Sequence, residues 1–143
     1  MGLEENKALI RQLFEAQGQP DIENTLTYWA PDVRNHGVPV GLLGMRAVFE
    51  SLLTTFPNRK WEIVDLIAEG DRVVARLQVS GTHQGTPALP IEGGLRLQRI
   101  PPTGRAYTIQ HIHVFRIVDG KIAEHWATRD DLGLLEQLGV LES

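Results

Sequence analysis

The sequence predicts one α+β domain, in which helices precede an antiparallel sheet. Two observations support this class. Apolar residues follow helical spacing up to residue 56, and from residue 61 onward they follow strand-like alternation broken by Gly and Pro turns. The chain has 143 residues and neither an internal repeat nor a low-complexity linker. We therefore expect a single domain over 1–143, long enough to bury a full core.

Three helices are predicted in the first half. The first has an apolar stripe of Leu9, Ile10, Leu13 and Phe14. The second is expected to run from a cap at Asp21 through Trp29 and to end before Pro31, because the residue preceding a proline is disfavoured in helical geometry. The third ends at Pro57, and its wide apolar stripe indicates burial against a sheet. That stripe consists of Leu42, Met45, Val48, Phe49, Leu52, Leu53 and Phe56.

The second half is predicted to be mainly strands. Residues 61–68 are apolar on both parities, which predicts a strand covered on both faces. The segment 72–80 alternates and predicts a half-buried strand. Further predictions are a long loop at 82–94 that could act as a lid, a short strand at 95–100, paired strands at 107–118 and 121–130, and a short closing helix with Leu132, Leu134, Leu135 and Leu138.

The composition excludes several kinds of chemistry. The net charge of −4 argues against a nucleic-acid partner, since phosphate binding needs clustered Lys and Arg. Without cysteines the chain forms no disulfide, thiolate metal site or iron–sulfur cluster. No apolar run approaches the roughly 20 residues of a spanning helix, so we expect no membrane partner and a cytoplasmic location. The five histidines remain as the side chains that titrate near neutral pH.

The Asp119-Gly120 pair predicts a hairpin, and its register decides where the histidines point. A two-residue turn would pair Val118 with Lys121 and place His113 opposite Trp126. Because strand side chains alternate, a slip of one residue moves every side chain to the other face.

A three-residue turn with a left-handed Gly120 would instead place His113 opposite His125 and His111 opposite Ala127. We favour this register because it collects the three histidines and their apolar neighbours on one face. The opposite face then carries Arg116, Glu124, Thr128 and Asp130, whereas Arg129 shares the face of the histidines.

Three interpretations of the histidine cluster stay open at this point. His111, His113 and His125 could be ordinary core histidines, each bonded to a neighbour. They could converge on a metal ion, but no neighbouring acid is evident, and we predict no metal. A facing pair could also exchange protons, because two nearby imidazoles in a partly buried site resist being charged together.

Six segments, in this order and spacing, carry a resemblance to a known family. They are 5–10, WAPDVRNH at 29–36, 65–73 with 81–83, 100–105, FRIVDGKIAEHW at 115–126, and 130–139. Over most of its length the chain resembles the SnoaL-like polyketide cyclases of the NTF2-like superfamily. The resemblance implies an NTF2-like (cystatin-like) cone, in which a curved mixed sheet wraps around the long third helix and encloses a pocket.

The resemblance also implies an activity. The family's cyclases close a ring by intramolecular aldol condensation of a polyketide ester, without a cofactor, and they form homodimers through the outer face of the sheet. By family position, the pocket histidines correspond to His113 and His125, and a polar group at the mouth corresponds to Asn35 with His36 beside it. The acid that takes a proton from carbon should lie where this chain has Ala127.

An alanine cannot accept a proton, so three alternatives follow. His113 or His125 could act as the base, Asp130 could reach in from the end of the strand, or the pocket could bind a ligand without cyclising it. We predict His113, His125 and Asp130 as catalytic candidates. The predicted substrate-binding residues are Trp29, Asn35, His36, Met45, Phe49, Trp61, His111 and Arg129.

The leading hypothesis is an enzyme that moves protons on a small, apolar carbonyl compound. The alternatives are a non-catalytic binding protein for a small ligand and an NTF2-like isomerase or epoxide hydrolase. Fold alone does not choose among them, since one fold hosts many functions.

Overall fold

A computed structural model describes residues 2–17 and 21–141. In chain order, the helices and strands are α1 (Leu3–Gln17), α2 (Ile22–Leu26), β1 (Trp29–Asn35), β2 (Val38–Pro39), α3 (Gly41–Thr55), β3 (Lys60–Glu69), β4 (Arg72–Thr82), β5 (Ala106–Val118), β6 (Lys121–Arg129) and α4 (Asp131–Gln137). The strands form one curved sheet in the order β2-β1-β6-β5-β4-β3. Only β1 and β6 run parallel, so the sheet is mixed, and the predicted α+β class is confirmed.

The predicted second helix is wrong at its end. Helix α2 stops at Leu26, and Trp29 is the first residue of β1. Pro31 therefore lies inside a strand, where the β1–β6 register shifts between Trp29 and Arg34. A proline has no N–H to donate to a ladder, so an irregular stretch of a strand accommodates it. The N-cap at Asp21 is confirmed, because its side chain accepts the Asn24 N–H at 3.1 Å.

Helix α3 follows its prediction and packs against β1. Its Met45 is buried, and Phe49 and Leu52 pack against the core. The core lies between the helices and the inner face of the sheet, where alternate residues of β4 point inward: Val73, Ala75, Leu77 and Val79. No helix of the described ranges is long and apolar enough to span a membrane.

Strand β3 is not covered on both faces, contrary to the prediction. It is an edge strand, and Val64 and Ile67 are 45% and 62% exposed. The β3–β4 register shifts between Ile63 and Asp65, so the inward parity changes within the strand. Ile63 packs inward before the bulge and Leu66 packs inward after it. This bulge, and not a second covering layer, explains apolar residues on both parities.

The predicted strand at 95–100 is also wrong. Leu95–Gln98 forms a short 3-10 helix that follows the loop after β4. Leu97 is fully buried whereas Leu95 is exposed, so the segment anchors the loop by one side chain. The predicted closing helix is confirmed as α4, which begins at Asp131.

The hairpin has the two-residue turn, so the favoured three-residue turn is wrong. Val118 pairs with Lys121, and Asp119 and Gly120 have φ of 50° and 74°. Two positive φ values are the signature of the turn type that Asp-Gly favours. One step further on, the register shifts so that β6 carries one extra residue, Ala123.

With the two-residue turn alone, His125 would lie on the opposite face of the sheet from His113. The extra residue in β6 returns His125 to the same face. His113 pairs with Ala127, so the predicted pairing of His113 with His125 is wrong. His125 pairs with Phe115 instead. The predicted pairing of His111 with Ala127 is wrong for the same reason, a shift of two residues. Because the shift is even, the three histidines still share the inner face, as the favoured register required.

Candidate active site

A cavity of about 140 Å³ lies between α1, α3, the inner face of β5 and β6, and the loop at 90–92. Predicted site residues that line it are Trp29, Asn35, His36, Met45, Phe49, Trp61, His113, His125 and Arg129. Ala127 lines it too. An adjoining hollow of about 110 Å³ shares Phe49, Arg59 and Trp61 with the cavity and opens between α2 and α3. The cavity can therefore hold a small ligand that extends into the hollow.

Four side chains form a continuous hydrogen-bonded line through the site. His111 Nδ1 lies 3.1 Å from His113 Nε2, and His113 Nδ1 lies 2.8 Å from His125 Nε2. His125 Nδ1 then lies 2.8 Å from Asn35 Oδ1. We call these four residues the histidine chain. It runs from the fully buried His111 to the cavity wall at Asn35.

The chain constrains the protonation of its members. Since the Asn35 amide oxygen can only accept, His125 Nδ1 donates to it, and His125 Nε2 accepts from His113. His113 therefore donates from Nδ1, and its Nε2 accepts from His111 Nδ1. Each of the three neutral rings carries its proton on Nδ1. His111 Nε2 ends the chain buried and with no hydrogen-bond partner among the described residues. The chain can reverse its direction if Asn35 is displaced or if its amide turns over so that Nδ2 donates to His125.

Aromatic side chains hold the rings in place. Phe14 meets His113 edge-on at 5.8 Å between ring centroids, and Phe115 stacks on His113 at an interplanar angle of 11°. Trp29 meets His125 edge-on at 5.5 Å. Such contacts favour one ring orientation, so hydrogen bonding and packing agree on the geometry of the chain.

Burial keeps these imidazoles neutral. It lowers the pKa of His125 to about 3 and that of His111 to about 2, and it lowers the pKa of His113 well below 6.5. Neighbouring positive charge, chiefly Arg59 for His111 and His36 for His125, acts in the same direction. At neutral pH each ring of the histidine chain is therefore neutral, with one nitrogen that carries a proton and one that can accept a proton.

Asn35 and His36 come from the end of β1. The His36 N–H donates to the His125 backbone oxygen at 2.9 Å, which fixes this end of β1 beside β6. His36 has a φ of 52°, a left-handed conformation that starts the turn into β2. Desolvation lowers the pKa of His36, and its ring meets His125 edge-on at 6.0 Å.

Two predicted site residues lie outside the cavity wall. Asp130 is exposed and caps α4, because its side chain accepts the Gly133 N–H at 2.9 Å. It does not reach in as a replacement acid. His111 lies behind His113, so the structure assigns it a place in the chain and not a direct ligand contact. The three histidines form a line instead of converging on one point, and the described ranges contain no cluster suited to a metal ion.

A buried ion pair in the cavity wall was not predicted from the sequence. Arg59 Nη2 lies 2.6 Å from Glu92 Oε1, and the two side chains are 5% and 4% exposed. Arg129 Nη1 lies 4.0 Å from the same carboxylate oxygen. Glu92 is the carboxylate that lines the cavity in the described part of the chain. The two partners are 33 residues apart, and a single Glu in a Gly- and Pro-rich loop carries no signal of burial.

Comparisons with known proteins agree with this architecture. A family model for the SnoaL-like polyketide cyclases matches residues 7–138. The nogalonic acid methyl ester cyclase of Streptomyces nogalater is 33% identical over 113 residues, which cover 78% of this chain and 77% of that protein. The structure of TsrD from Streptomyces laurentii is 32% identical, with a TM-score of 0.81 over 99% of both chains.

A further relative carries a different assignment. AclR from Streptomyces galilaeus, a protein proposed to be a hydroxylase, is 30% identical, with a TM-score of 0.81 over 99% of this chain and 89% of its own. Relatives at this level of similarity are therefore described with different activities, and the side chains in the cavity must decide the chemistry.

Proposed function

Because the chain belongs to the SnoaL-like polyketide cyclase family, we propose that it is a cyclase-type enzyme acting on a small, largely apolar carbonyl compound. Its reaction removes a proton from a carbon beside a carbonyl group and uses the resulting enolate to close a ring. No cofactor takes part in this proposal, since a general base and an oxyanion donor suffice for an aldol closure.

The histidine chain is the observation that supports this function. His125 lines the cavity beside Asn35 and is the proposed base, and His113 orients it through the 2.8 Å contact. When a ligand displaces the Asn35 amide, the chain can reverse so that each ring carries its proton on Nε2. The lone pair of His125 Nδ1 then faces the ligand.

The lowered pKa makes His125 a weak base in the ligand-free protein. The imidazolium and the enolate that form on proton transfer therefore need stabilisation. An enolate beside the new imidazolium raises the pKa of His125, because opposite charges in a dry site favour each other. Arg129 lines the same cavity and can donate to the enolate oxygen. The Trp29 indole N–H, which has no partner among the described residues, is a second donor.

The ring closure balances without a co-reactant. The carbon gives its proton to His125 and becomes nucleophilic, and it forms a C–C bond with a second carbonyl of the same molecule. The alkoxide formed there takes the proton back from the imidazolium. Without the family's acid at position 127, His125 would serve as both base and acid, which suits a carbon already activated by two carbonyls.

Deuterium exchange tests the first half of this mechanism without knowledge of the true substrate. We would incubate the protein with 2-tetralone in heavy water and follow loss of the C1 proton signal by NMR. Wild-type protein should accelerate exchange over buffer. His125→Ala should lower the acceleration about 100-fold, a typical contribution of a general base. Asp65→Asn, in an exposed ion pair with Arg76, is the matched control.

If the acceleration survives His125→Ala, the histidine mechanism is wrong. A second candidate function, ligand binding without turnover, is favoured by Ala127 in the cavity wall. It predicts that polycyclic ketones bind and quench tryptophan fluorescence while the wild-type protein leaves their exchange rate unchanged.

We also propose that two copies pair through the outer face of the sheet. Ile112 is 43% exposed there, and Arg72 lies over the ring of Trp126 at 5.5 Å. Sedimentation equilibrium should give a dimer, and Ile112→Glu should shift it to the monomer.

A further inference from the structure

We propose that Arg59 and Glu92 form a recognition subsite for a ligand group that presents a hydrogen-bond acceptor beside a donor. An enol or hydroxyl next to a carbonyl is such a group. The inference deepens the proposed function and rests on it for the identity of the reacting molecule, but the binding it predicts is measured independently of turnover.

Unsatisfied polar atoms are the first observation. The pair uses Arg59 Nη2 and Glu92 Oε1 on each other. Arg59 Nε and Nη1 and Glu92 Oε2 are buried and have no hydrogen-bond partner among residues 2–17 and 21–141. Both residues line the cavity. A buried donor or acceptor without a partner is costly, so a ligand that satisfies both is favoured over one that satisfies neither.

The subsite is also rigid. The Arg59 guanidinium lies over the Trp61 ring at 4.9 Å, which fixes its plane. Glu92 lies within a turn closed by the Gly94 N–H donating to the Ile91 oxygen at 2.9 Å. The next residue of that turn, Gly93, donates its N–H to Asp131 Oδ1 at 3.0 Å, which ties the loop to α4. A preorganised pair binds with a smaller entropy loss than mobile side chains would.

The charges favour a neutral donor–acceptor group over an anion. Arg59 is already neutralised by Glu92, and a ligand carboxylate would meet the free oxygen Oε2 at close range. Arg129, the remaining cation of the wall, lies 4.0 Å from Glu92 and 3.8 Å from Asp131. A ligand carbonyl can accept from Arg59 while the adjacent hydroxyl or amide N–H donates to Glu92 Oε2.

Three matched probes test this recognition. 2-Naphthamide presents an acceptor and a donor, methyl 2-naphthoate presents acceptors alone, and 2-naphthoate presents an anion. We would measure their dissociation constants by isothermal titration calorimetry at pH 7. The amide should bind about tenfold more tightly than either competitor, which corresponds to about 1.4 kcal/mol, close to one hydrogen bond to a charged group.

Glu92→Gln is the informative variant because it keeps the shape of the side chain. Its amide oxygen must accept from Arg59, so an NH₂ donor replaces Oε2. The preference for the amide over the ester should then disappear or reverse. Asp65→Asn, which removes a carboxylate outside the cavity, should leave the ranking unchanged, and thermal melting confirms that each variant folds.

His125→Ala separates this proposal from the proposed function. It should lower the acceleration of 2-tetralone exchange about 100-fold while the ranking of the three naphthalene probes stays the same. Equal affinities of the wild-type protein for the three probes, or no binding of any at millimolar concentration, would overturn the subsite. A ranking of the probes that stays the same in Glu92→Gln would also overturn the subsite. If Glu92→Gln loses deuterium exchange while that ranking stays the same, Glu92 is the base and not a recognition group.

Discussion

The histidine chain should make the stability of the protein depend steeply on pH between 7 and 5. His111 is fully buried, and burial lowers its pKa from 6.5 to about 2. In the unfolded chain the same ring titrates near its ordinary value, so acid protonates the unfolded state first. The stabilisation is present above the unfolded pKa and is lost as the pH falls below it.

The size of the effect follows from proton linkage. Each pH unit below the unfolded pKa costs about 1.4 kcal/mol per histidine that stays neutral when folded, or about 2 kcal/mol between pH 7 and pH 5. His125 behaves in the same way, because burial lowers its pKa to about 3. Burial also lowers the pKa of His113 well below 6.5, so His113 acts in the same direction. Together His111 and His125 account for about 4 kcal/mol, a large part of the stability of a marginal domain, and His113 adds to this loss.

Urea unfolding followed by tryptophan fluorescence measures this directly. Wild-type protein should lose at least about 4 kcal/mol of unfolding free energy between pH 7 and pH 5, a window above most carboxylate titration. His111→Asn keeps a hydrogen-bonding group near the position of Nδ1 but does not titrate. Its loss between the same two pH values should be smaller by about 2 kcal/mol.

His36→Asn is the matched control. His36 is exposed, and asparagine tolerates the left-handed backbone at this position, so its effect on the pH dependence should be smaller. An unfolding free energy that is flat between pH 7 and 5, or an equal loss in wild type and His111→Asn, would refute the reasoning that burial holds these rings neutral.

Three further substitutions test the site. Ala127→Asp restores a carboxylate in the cavity wall and should raise deuterium exchange of 2-tetralone about tenfold or more, measured by NMR against wild type. Asp130→Ala removes the cap of α4 and should cost about 1 kcal/mol in urea unfolding without changing exchange; a loss of exchange would restore it as a catalytic candidate. Glu92→Ala leaves Arg59 buried and unpaired and should cost about 3–5 kcal/mol, which the double variant with Arg59→Met should largely recover.

Local patterns in the sequence predicted most elements of this fold. The apolar stripe of α3, the alternation of β4 and the Asp119-Gly120 turn each depend on residues a few positions apart. Pattern and backbone geometry agree there, because the spacing of side chains is a property of the helix or strand itself. The shared face of the three histidines was predicted from a three-residue turn that is wrong, and the bulge in β6 produces the same parity.

Two bulges changed the details. In β3 the shift between Ile63 and Asp65 produced apolar residues on both parities, a pattern that had predicted burial on both faces. In β6 the extra residue Ala123 replaced the predicted three-residue turn and moved His125 opposite Phe115. A bulge depends on how two strands twist against each other, so one strand's residues do not reveal its position.

The candidate site combines both kinds of information. Alternation along β5 placed His111 and His113 on one face, but His125 joined them only through the bulge in β6, which has the same effect on parity as the predicted three-residue turn. The contact between His125 and Asn35 joins residues 90 positions apart, and the Arg59–Glu92 pair joins residues 33 positions apart. Such contacts depend on how loops bring distant backbones together and on which polar groups lose water there. No residue pattern within one segment records that, and only the folded molecule shows it.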